Sequence, residues 1–163
     1  MTQYDAVTHV GPVVLRLALG AVFVAHGAQK LFGFLGGGGP TGTAAFFAQI
    51  GLTPAYPLAL FVGIVELVGG LMLMGGAFTL ITAAVLTINM LVAVWTVHLA
   101  SGFFLNWTSA PGQGHGYEFN LVLIAALVSL MFTGPGVLSF DRYRAQAAET
   151  DALGRARLRT GKV

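Results

Sequence analysis

Several ionisable side chains interrupt otherwise apolar stretches of this sequence, and they are the residues whose types and spacing could perform chemistry. His26 and Lys30 are four residues apart, which places them on one face of a helix. Arg16 is about 40° away from Lys30 around that same helix. Glu66, in a later apolar stretch, is an acidic partner for this basic stripe. An imidazole, an ammonium and a carboxylate held together in a dry environment can bind a polar group and exchange protons.

Three further polar residues complete the candidate set. Asn89 lies in the third apolar stretch, His98 near the end of that stretch, and Glu118 at the start of the fourth. An ionisable side chain in hydrocarbon costs about 2.5–3.5 kcal/mol on insertion scales, so such residues are usually functional or paired. The predicted ligand-binding site therefore comprises Arg16, His26, Lys30, Glu66, Asn89, His98 and Glu118, and no catalytic residue is assigned.

A structural role is the alternative for each of these residues. For Lys30, His98 and Glu118 the structural or snorkelling interpretation is preferred, because all three lie near the membrane surface. Arg16 is expected to brace one end of the bundle together with Asp141. For Glu66 and His26 the functional and structural interpretations stay open.

Other kinds of site are excluded or disfavoured by composition and spacing. Cysteine is absent, which excludes Fe–S clusters and cysteine-ligated zinc within the chain. His26 and His98 differ by about 6 Å in depth at 1.5 Å per residue, whereas two axial haem ligands would be level. There is no phosphate-binding loop and no zinc-protease motif. The sequence therefore implies no metal and no firm cofactor.

The elements that position these residues are transmembrane helices. Charged residues make up 9% of the chain and apolar residues 56%, and the mean hydropathy is +0.80. Four apolar stretches match or approach the roughly 20 residues that cross a bilayer as a helix, at residues 11–34, 55–76, 77–100 and 117–135. The predicted fold class is all-α, an integral membrane four-helix bundle that forms one domain over residues 1–142. A basic tail over residues 143–163, either a surface helix or disordered, follows it.

Two segments between the spans are expected at the membrane surface. Residues 36–40 form a glycine-rich break, and residues 43–50 are apolar but far too short to span. They predict a short re-entrant or interfacial helix between spans one and two. Four aromatic residues after span three suit either an aromatic belt or a lid over a site. They are Phe103, Phe104, Trp107 and Tyr117.

The distribution of basic residues predicts the orientation of the chain. Residues 101–116 contain no lysine or arginine, whereas the tail contains Arg142, Arg144, Arg155, Arg157, Arg159 and Lys162. By the positive-inside rule the tail is cytoplasmic, and four crossings return the N-terminus to the same side. The tail arginines are expected to meet anionic lipid headgroups at about 1 kcal/mol each, and nucleic-acid binding has no support.

Short motifs at the same residues resemble the DoxX family of small bacterial membrane proteins. The matching pieces are residues 16–20 (Arg-Leu-Ala-Leu-Gly), 26–31 (His-Gly-Ala-Gln-Lys-Leu), 66–70 (Glu-Leu-Val-Gly-Gly) and 134–141, which contains Gly-Pro-Gly and Ser-Phe-Asp. The resemblance covers about residues 11–142. It implies a four-helix domain in the bacterial inner (cytoplasmic) membrane that is linked to redox processes, with Arg16, His26, Lys30 and Glu66 carried over directly.

The leading hypothesis is a quinone-facing subunit of a membrane redox assembly. In it His26 and Lys30 contact the quinone headgroup and Glu66 exchanges protons, while electrons come from a partner protein, so whether the chain is an enzyme stays open. The alternatives are a non-catalytic scaffold or accessory subunit of a membrane complex, and a small-solute or proton-coupled transporter. The expected partners are the lipid bilayer, other membrane redox proteins and further copies of the chain in a homo-oligomer.

Overall fold

A computed structural model describes the backbone of residues 9–160 and the side chains up to residue 155. Within these residues the chain forms six α-helices, which we number α1 Gly11–Phe32, α2 Gly39–Gln49, α3 Ala55–Gly75, α4 Thr79–Ala93, α5 Glu118–Thr133 and α6 Phe140–Thr160. A 3-10 turn follows α1, and α4 continues through the π-helical turn Val94–His98 and a last 3-10 turn. The predicted all-α fold class is confirmed.

Four of these helices cross the bundle from end to end. Three are long and apolar enough to cross a membrane, namely Gly11–Phe32, Ala55–Gly75 and the extended helix Thr79–Ser101. The fourth, α5, has 16 residues and is therefore about 24 Å long, short of the roughly 30 Å of hydrocarbon. Its ends still reach opposite ends of the bundle. Glu118 N donates to Phe103 O at 2.9 Å, and beyond the other end Val137 N donates to His9 O at 2.9 Å.

These contacts define two ends of the molecule. The basal end contains His9, Gly76 and residues 134–141, since Asp141 N also donates to Gly76 O at 3.0 Å. The loop end contains residues 102–117, which connect α4 to α5. Because α1 begins at the basal end and α5 finishes there, the chain enters and leaves the bundle on the same side.

The helices end where glycine permits a left-handed backbone. Gly33 with φ of 71° follows the last residue of α1, and Gly76 with φ of 62° follows the last residue of α3. The C-terminal end of each span therefore comes earlier than the apolar stretches predict. Glycine has no Cβ to clash in this conformation, which makes it the common residue after a helix. Phe78 also has a positive φ of 47° and leads directly into α4. Spans two and three are thus joined by a tight turn.

Close packing of α1 on α3 depends on glycine. A Cβ added to Gly27 would lie 2.7 Å from Leu67 Cα, and one added to Gly63 would lie 3.2 Å from Lys30 Cβ. Small residues of this kind let two helices approach closely inside a membrane. The approach brings Lys30, near the end of α1, level with Gly63 in the body of α3.

The predicted short helix between spans one and two is α2. Its 11 residues extend about 16 Å, too little to cross a bilayer. Pro40 occupies the first turn, where its missing N–H costs no hydrogen bond. The helix packs against α3 and α1, with Phe47 buried and Phe46 exposed.

The apolar core lies between α1, α3, α4 and α5. Leu73, Leu86, Leu127 and Leu130 are fully buried there, whereas large apolar side chains such as Phe132 remain exposed. Exposed apolar side chains on these helices are suited to contact with lipid. Among the alternatives for the tail the structure shows a helix, α6, whose side chains from Tyr143 to Arg155 are exposed. Lys162 and the side chains of Arg157 and Arg159 lie outside the described residues.

Candidate functional site

The polar site inside the bundle is centred on the Glu66 carboxylate. The Glu66 side chain is 5% exposed and that of Lys30 is 21% exposed. Lys30 Nζ donates to Glu66 Oε2 at 2.6 Å, and Asn89 Nδ2 donates to Glu66 Oε1 at 3.2 Å. We name these three residues the Glu66 cluster. Because each carboxylate oxygen has a donor and the ion pair has no net charge, the cluster is a tolerable arrangement within a membrane.

Three helices supply one residue each to this cluster. Glu66 lies near the middle of α3, Asn89 lies in α4, and Lys30 lies in the last turn of α1. From sequence alone Lys30 is expected about 12 Å above the middle of the membrane, far from Glu66. The structure closes this gap because Lys30 packs beside Gly63, less than one turn before Glu66. The long lysine side chain then reaches the carboxylate.

His26 lies at the edge of the Glu66 cluster. It is one helical turn before Lys30 on α1, and its side chain is exposed on the surface of the bundle. The charges of both Lys30 and Glu66 act on its ring, so it is within electrostatic range of the pair. Within the described residues it makes no hydrogen bond. Its imidazole is therefore free to contact a molecule that approaches through lipid.

Arg16 lies at the basal end, away from the Glu66 cluster. Its residue surface is 2% exposed, and Nη2 donates to Leu138 O at 2.6 Å and to Val137 O at 3.2 Å. Nη1 packs against Gly76 so closely that any side chain there would overlap it. Arg16 thus fixes the segment after α5 onto α1 and α3, which is a structural role.

Asp141 holds the same end through a different helix. Its Oδ1 accepts from Phe78 N at 2.8 Å and its Oδ2 accepts from Thr79 N at 2.7 Å, so it caps the start of α4. Burial by itself raises the pKa of Asp141, but these amide donors and the nearby Arg144 outweigh it, and the pKa lies below its ordinary value of 3.8. Asp141 and the Arg16 guanidinium brace the basal end through backbone groups, and the described residues show no direct ion pair between them.

Glu118 and His98 belong to the loop end. Glu118 Oε1 accepts from Leu105 N at 3.0 Å, and His98 Nδ1 lies 2.9 Å from His115 O. His98 is the last residue of the π-helical turn that continues α4. Both residues fix the 102–117 connection in place, and the structure does not bring them to Glu66 within hydrogen-bond distance.

Asn106 organises the loop and has no obvious signal in the sequence. It is 7% exposed; its Nδ2 donates to Ala110 O at 3.0 Å and to Gln113 O at 2.9 Å, while its Oδ1 accepts from Ala110 N at 2.9 Å. Its backbone N also donates to His115 Nδ1 at 3.2 Å. An asparagine in a polar connection is common, and only the folded loop distinguishes this one. The aromatic belt and the lid both stay predictions.

An open apolar groove of about 610 Å³ runs along another face of α1. Ala21, Ala25 and Ala28 line it, and Leu35 lies at one side. Lys30 follows Ala21 by nine residues, which is about 180° around the helix at 100° per residue. The groove is therefore on the side of α1 opposite the Glu66 cluster. Within the described residues no three His, Asp or Glu side chains converge to hold a metal ion.

Comparison with known proteins finds one family and several relatives. The DoxX family pattern matches residues 11–99, which contain all three members of the Glu66 cluster. A Bacillus subtilis protein named "Putative oxidoreductase CatD" is 30% identical over 134 residues, which cover 82% of this chain and 87% of that protein. The "Uncharacterized membrane protein Rv3486" of Mycobacterium tuberculosis is 32% identical over 133 residues, covering 80% and 78%. No solved structure matches the chain significantly.

Proposed function

The chain belongs to the DoxX family, and from this premise we propose that it is a subunit of a membrane redox assembly that binds a quinone headgroup at the Glu66 cluster. It is a multi-pass membrane protein. In the proposal His26 and Lys30 contact the headgroup, Glu66 exchanges protons, and Phe46 and Phe47 of α2 close one side. A relative whose name includes oxidoreductase supports the redox part of the proposal.

The observation that carries the proposal is the position of the Glu66 cluster among the membrane-spanning helices. Glu66 is buried, but Lys30 is partly exposed and His26 is exposed on the surface of α1. A molecule that reaches these two side chains arrives through the hydrocarbon and must be lipid-soluble. It must also have polar atoms that can replace the existing hydrogen bonds, because unsatisfied groups there are costly. A quinone is lipid-soluble, and its carbonyl oxygens can accept hydrogen bonds from Lys30 and His26.

The chain supplies binding and proton exchange in this proposal. It has no cysteine, and no cofactor-binding motif is found in its sequence. Electrons would therefore pass between the quinone and a partner protein, whose identity is open.

Quinone titration of the purified protein in lipid nanodiscs tests the proposal. We expect saturable binding of a short-chain ubiquinone that weakens at least tenfold in Glu66→Gln and in His26→Ala. Circular dichroism and size-exclusion chromatography establish that each variant remains folded. The Gln113→Ala change, in the exposed loop, is the matched control and should bind like the native chain. Unchanged binding in both site variants would overturn the proposal.

A scaffold role is the second candidate, and one observation favours it. Both oxygens of Glu66 already have donors from neighbouring helices, so the cluster can hold α1, α3 and α4 in register without any ligand. In that case Glu66→Gln would lower stability but leave no ligand affinity to lose. The titration above separates the two roles.

We also propose that the basal end faces the cytoplasm of a bacterium, with both termini on that side of the inner membrane. The supporting observations are the hydrogen bond between His9 and Val137 at one end and the absence of lysine and arginine from the 101–116 segment at the other.

A further inference from the structure

We propose that Asn120 is a second hydrogen-bond donor to the quinone headgroup, on the opposite side of the ring from Lys30 and His26. The site then selects a ring with two opposed carbonyl oxygens, a para-quinone. This inference rests on the proposed function and names the class of ligand that the Glu66 cluster takes. In the ligand-free protein the sulfur of Met90 occupies the place of the second carbonyl oxygen beside Asn120.

One polar residue interrupts the buried face of α5. The buried residues of this helix are Asn120, Leu123, Leu127 and Leu130, which recur at spacings of three and four and therefore form one stripe. Asn120 is 7% exposed. A leucine at this position could continue the stripe without burying a polar group. The asparagine instead places an amide inside a membrane bundle, where a polar group without a good partner is costly.

The hydrogen-bond partner of Asn120 is a weak one. Its Nδ2 lies 3.6 Å from Met90 Sδ, and the side chain makes no other hydrogen bond within the part of the chain that the structure describes. A thioether sulfur is a weak acceptor, whereas a carbonyl oxygen is a good one. Met90 is 6% exposed, but methionine is unbranched and adapts its shape readily, so its side chain can move aside. A ligand carbonyl that replaces the sulfur therefore improves the hydrogen bond of Asn120.

The helices α3 and α5 lie diagonally opposite each other in the bundle. Among the described residues α1 and α4 each pack against both of them, whereas α3 and α5 have few or no contacts with each other. Glu66 of α3 and Asn120 of α5 therefore approach the interior from opposite sides. They are at a similar depth, because Asn89 donates to Glu66 and the next residue, Met90, is the partner of Asn120.

His26 and Lys30 lie on the side of α1 that is turned toward α5. Gly27 of the same helix packs against α3. At 100° per residue, Phe23, Lys30 and His26 are about 40°, 60° and 100° from Gly27, all in one direction. Phe23 is buried in the core, so this direction leads away from α3 and across the interior of the bundle. A headgroup that enters beside His26 therefore meets Lys30 on one side and Asn120 on the other.

A para-quinone matches donors on two sides. The Lys30 ammonium has three N–H groups, and one of them is directed to Glu66 Oε2, so another can donate to the first carbonyl while the ion pair stays intact. The Asn120 amide donates to the second carbonyl in place of the Met90 sulfur. No proton moves and no charge is separated, so no unpaired ion is created. A ring with a single carbonyl can satisfy one side alone.

The first test compares two ligands on the native chain and on Asn120→Leu in nanodiscs. The ligands are menadione, a para-quinone, and the corresponding methyltetralone, which has one carbonyl. That carbonyl should bind the ammonium, because a hydrogen bond to a charged donor is the stronger one. Asn120→Leu should therefore weaken menadione about three- to tenfold, the equivalent of one net hydrogen bond, and leave the methyltetralone unchanged. Thr87→Val, another polar-to-apolar change in the bundle, is the matched control and should alter neither affinity.

The outcomes separate this inference from the proposed function. An equal loss for both ligands, or a loss for neither, would overturn the inference, and the binding of menadione to the native chain would leave the proposed function standing. If the native chain binds no quinone, the proposed function itself fails.

The stability of the ligand-free protein distinguishes a ligand contact from a structural hydrogen bond. The Met90 sulfur is a weak acceptor and loses little when the amide is removed. Asn120→Leu should therefore unfold at the same or a higher denaturant fraction than the native chain. A variant that unfolds earlier or does not fold would show that the bundle needs the amide, and the inference would be overturned.

Nuclear magnetic resonance of isotope-labelled methionine methyl groups observes the exchange on the native chain. The Met90 signal, assigned with Met90→Leu, should shift when menadione saturates the site, because the sulfur loses the Asn120 amide. Met72, whose sulfur lies 4.0 Å from the Thr82 hydroxyl toward the basal end, is the matched control and should not shift. An unchanged Met90 signal at saturation would overturn the inference.

Discussion

Substituting Lys30 or Glu66 measures how much the ion pair between them contributes to the free energy of unfolding. Lys30→Met leaves the Glu66 carboxylate, 5% exposed, with Asn89 as its remaining donor. Loss of one partner of a buried ion pair costs about 3–5 kcal/mol of the free energy of unfolding. Glu66→Gln should cost less, about 1–3 kcal/mol, because the Lys30 side chain is 21% exposed and can turn its ammonium toward the membrane surface.

The double variant distinguishes a coupled pair from two independent residues. Removing both charges leaves no unpaired ion, so the double change should cost less than the sum of the single changes by about 2 kcal/mol or more. Reversible unfolding in mixed detergent micelles measures all four proteins. The exposed pair of Asp151 and Arg155 on α6, 61% and 77% exposed, is the matched control and should show coupling of about 0.5 kcal/mol or less. Equally small coupling between Lys30 and Glu66 would refute the reasoning.

Three further predictions concern helix packing, the basal end and orientation. Gly27→Ala places a methyl against the backbone of α3, where it overlaps existing atoms, and should lower the free energy of unfolding by about 1–3 kcal/mol. Gly42→Ala, with open space around it, is the control and should leave the free energy of unfolding equal or slightly higher in the same assay. Asp141→Asn should cost about 1–2 kcal/mol at neutral pH through the weakened cap of α4. Because the native pKa of Asp141 lies below 3.8, its stabilisation is present above pH 3.8 and is lost as the pH falls through the native value; thermal melts across this range should show that loss in the native chain and not in the variant. The chain has no cysteine, so Gln113→Cys and Thr150→Cys each introduce one thiol, and an impermeant maleimide should label the first on intact cells and the second only after permeabilisation.

The fold could be predicted from sequence to the extent that it depends on apolar length. Helix number and the short α2 follow from the size of the apolar stretches and from the glycine-rich break before Pro40. The shortening of α1 at Gly33 and the 16-residue length of α5 could not be predicted from hydropathy, because both ends are set by backbone conformation and loop contacts.

Some contacts of the polar residues could be predicted from the sequence, and others could not. An acid and a base in hydrocarbon need each other, so residue types alone predict that Glu66 meets a basic residue of the α1 stripe, but they do not identify that residue as Lys30. Arg16 and Glu118 instead bind backbone groups of distant segments, and a backbone group has no distinguishing signal in a sequence. His26 shares the helix face of Lys30 in the sequence pattern, but the close crossing of α1 on α3 buries the lysine stem and leaves the histidine exposed.

Mass spectrometry of the lipid-soluble molecules that stay bound after purification in mild detergent tests the central claim most directly. The native chain should retain a quinone or hydroquinone. Its amount should be at least tenfold higher than the amount that co-purifies with the Lys30→Met, Glu66→Gln double variant, in which both charges are removed. Equal amounts in the two preparations would mean that the Glu66 cluster does not bind this ligand class, and the proposed function would be contradicted.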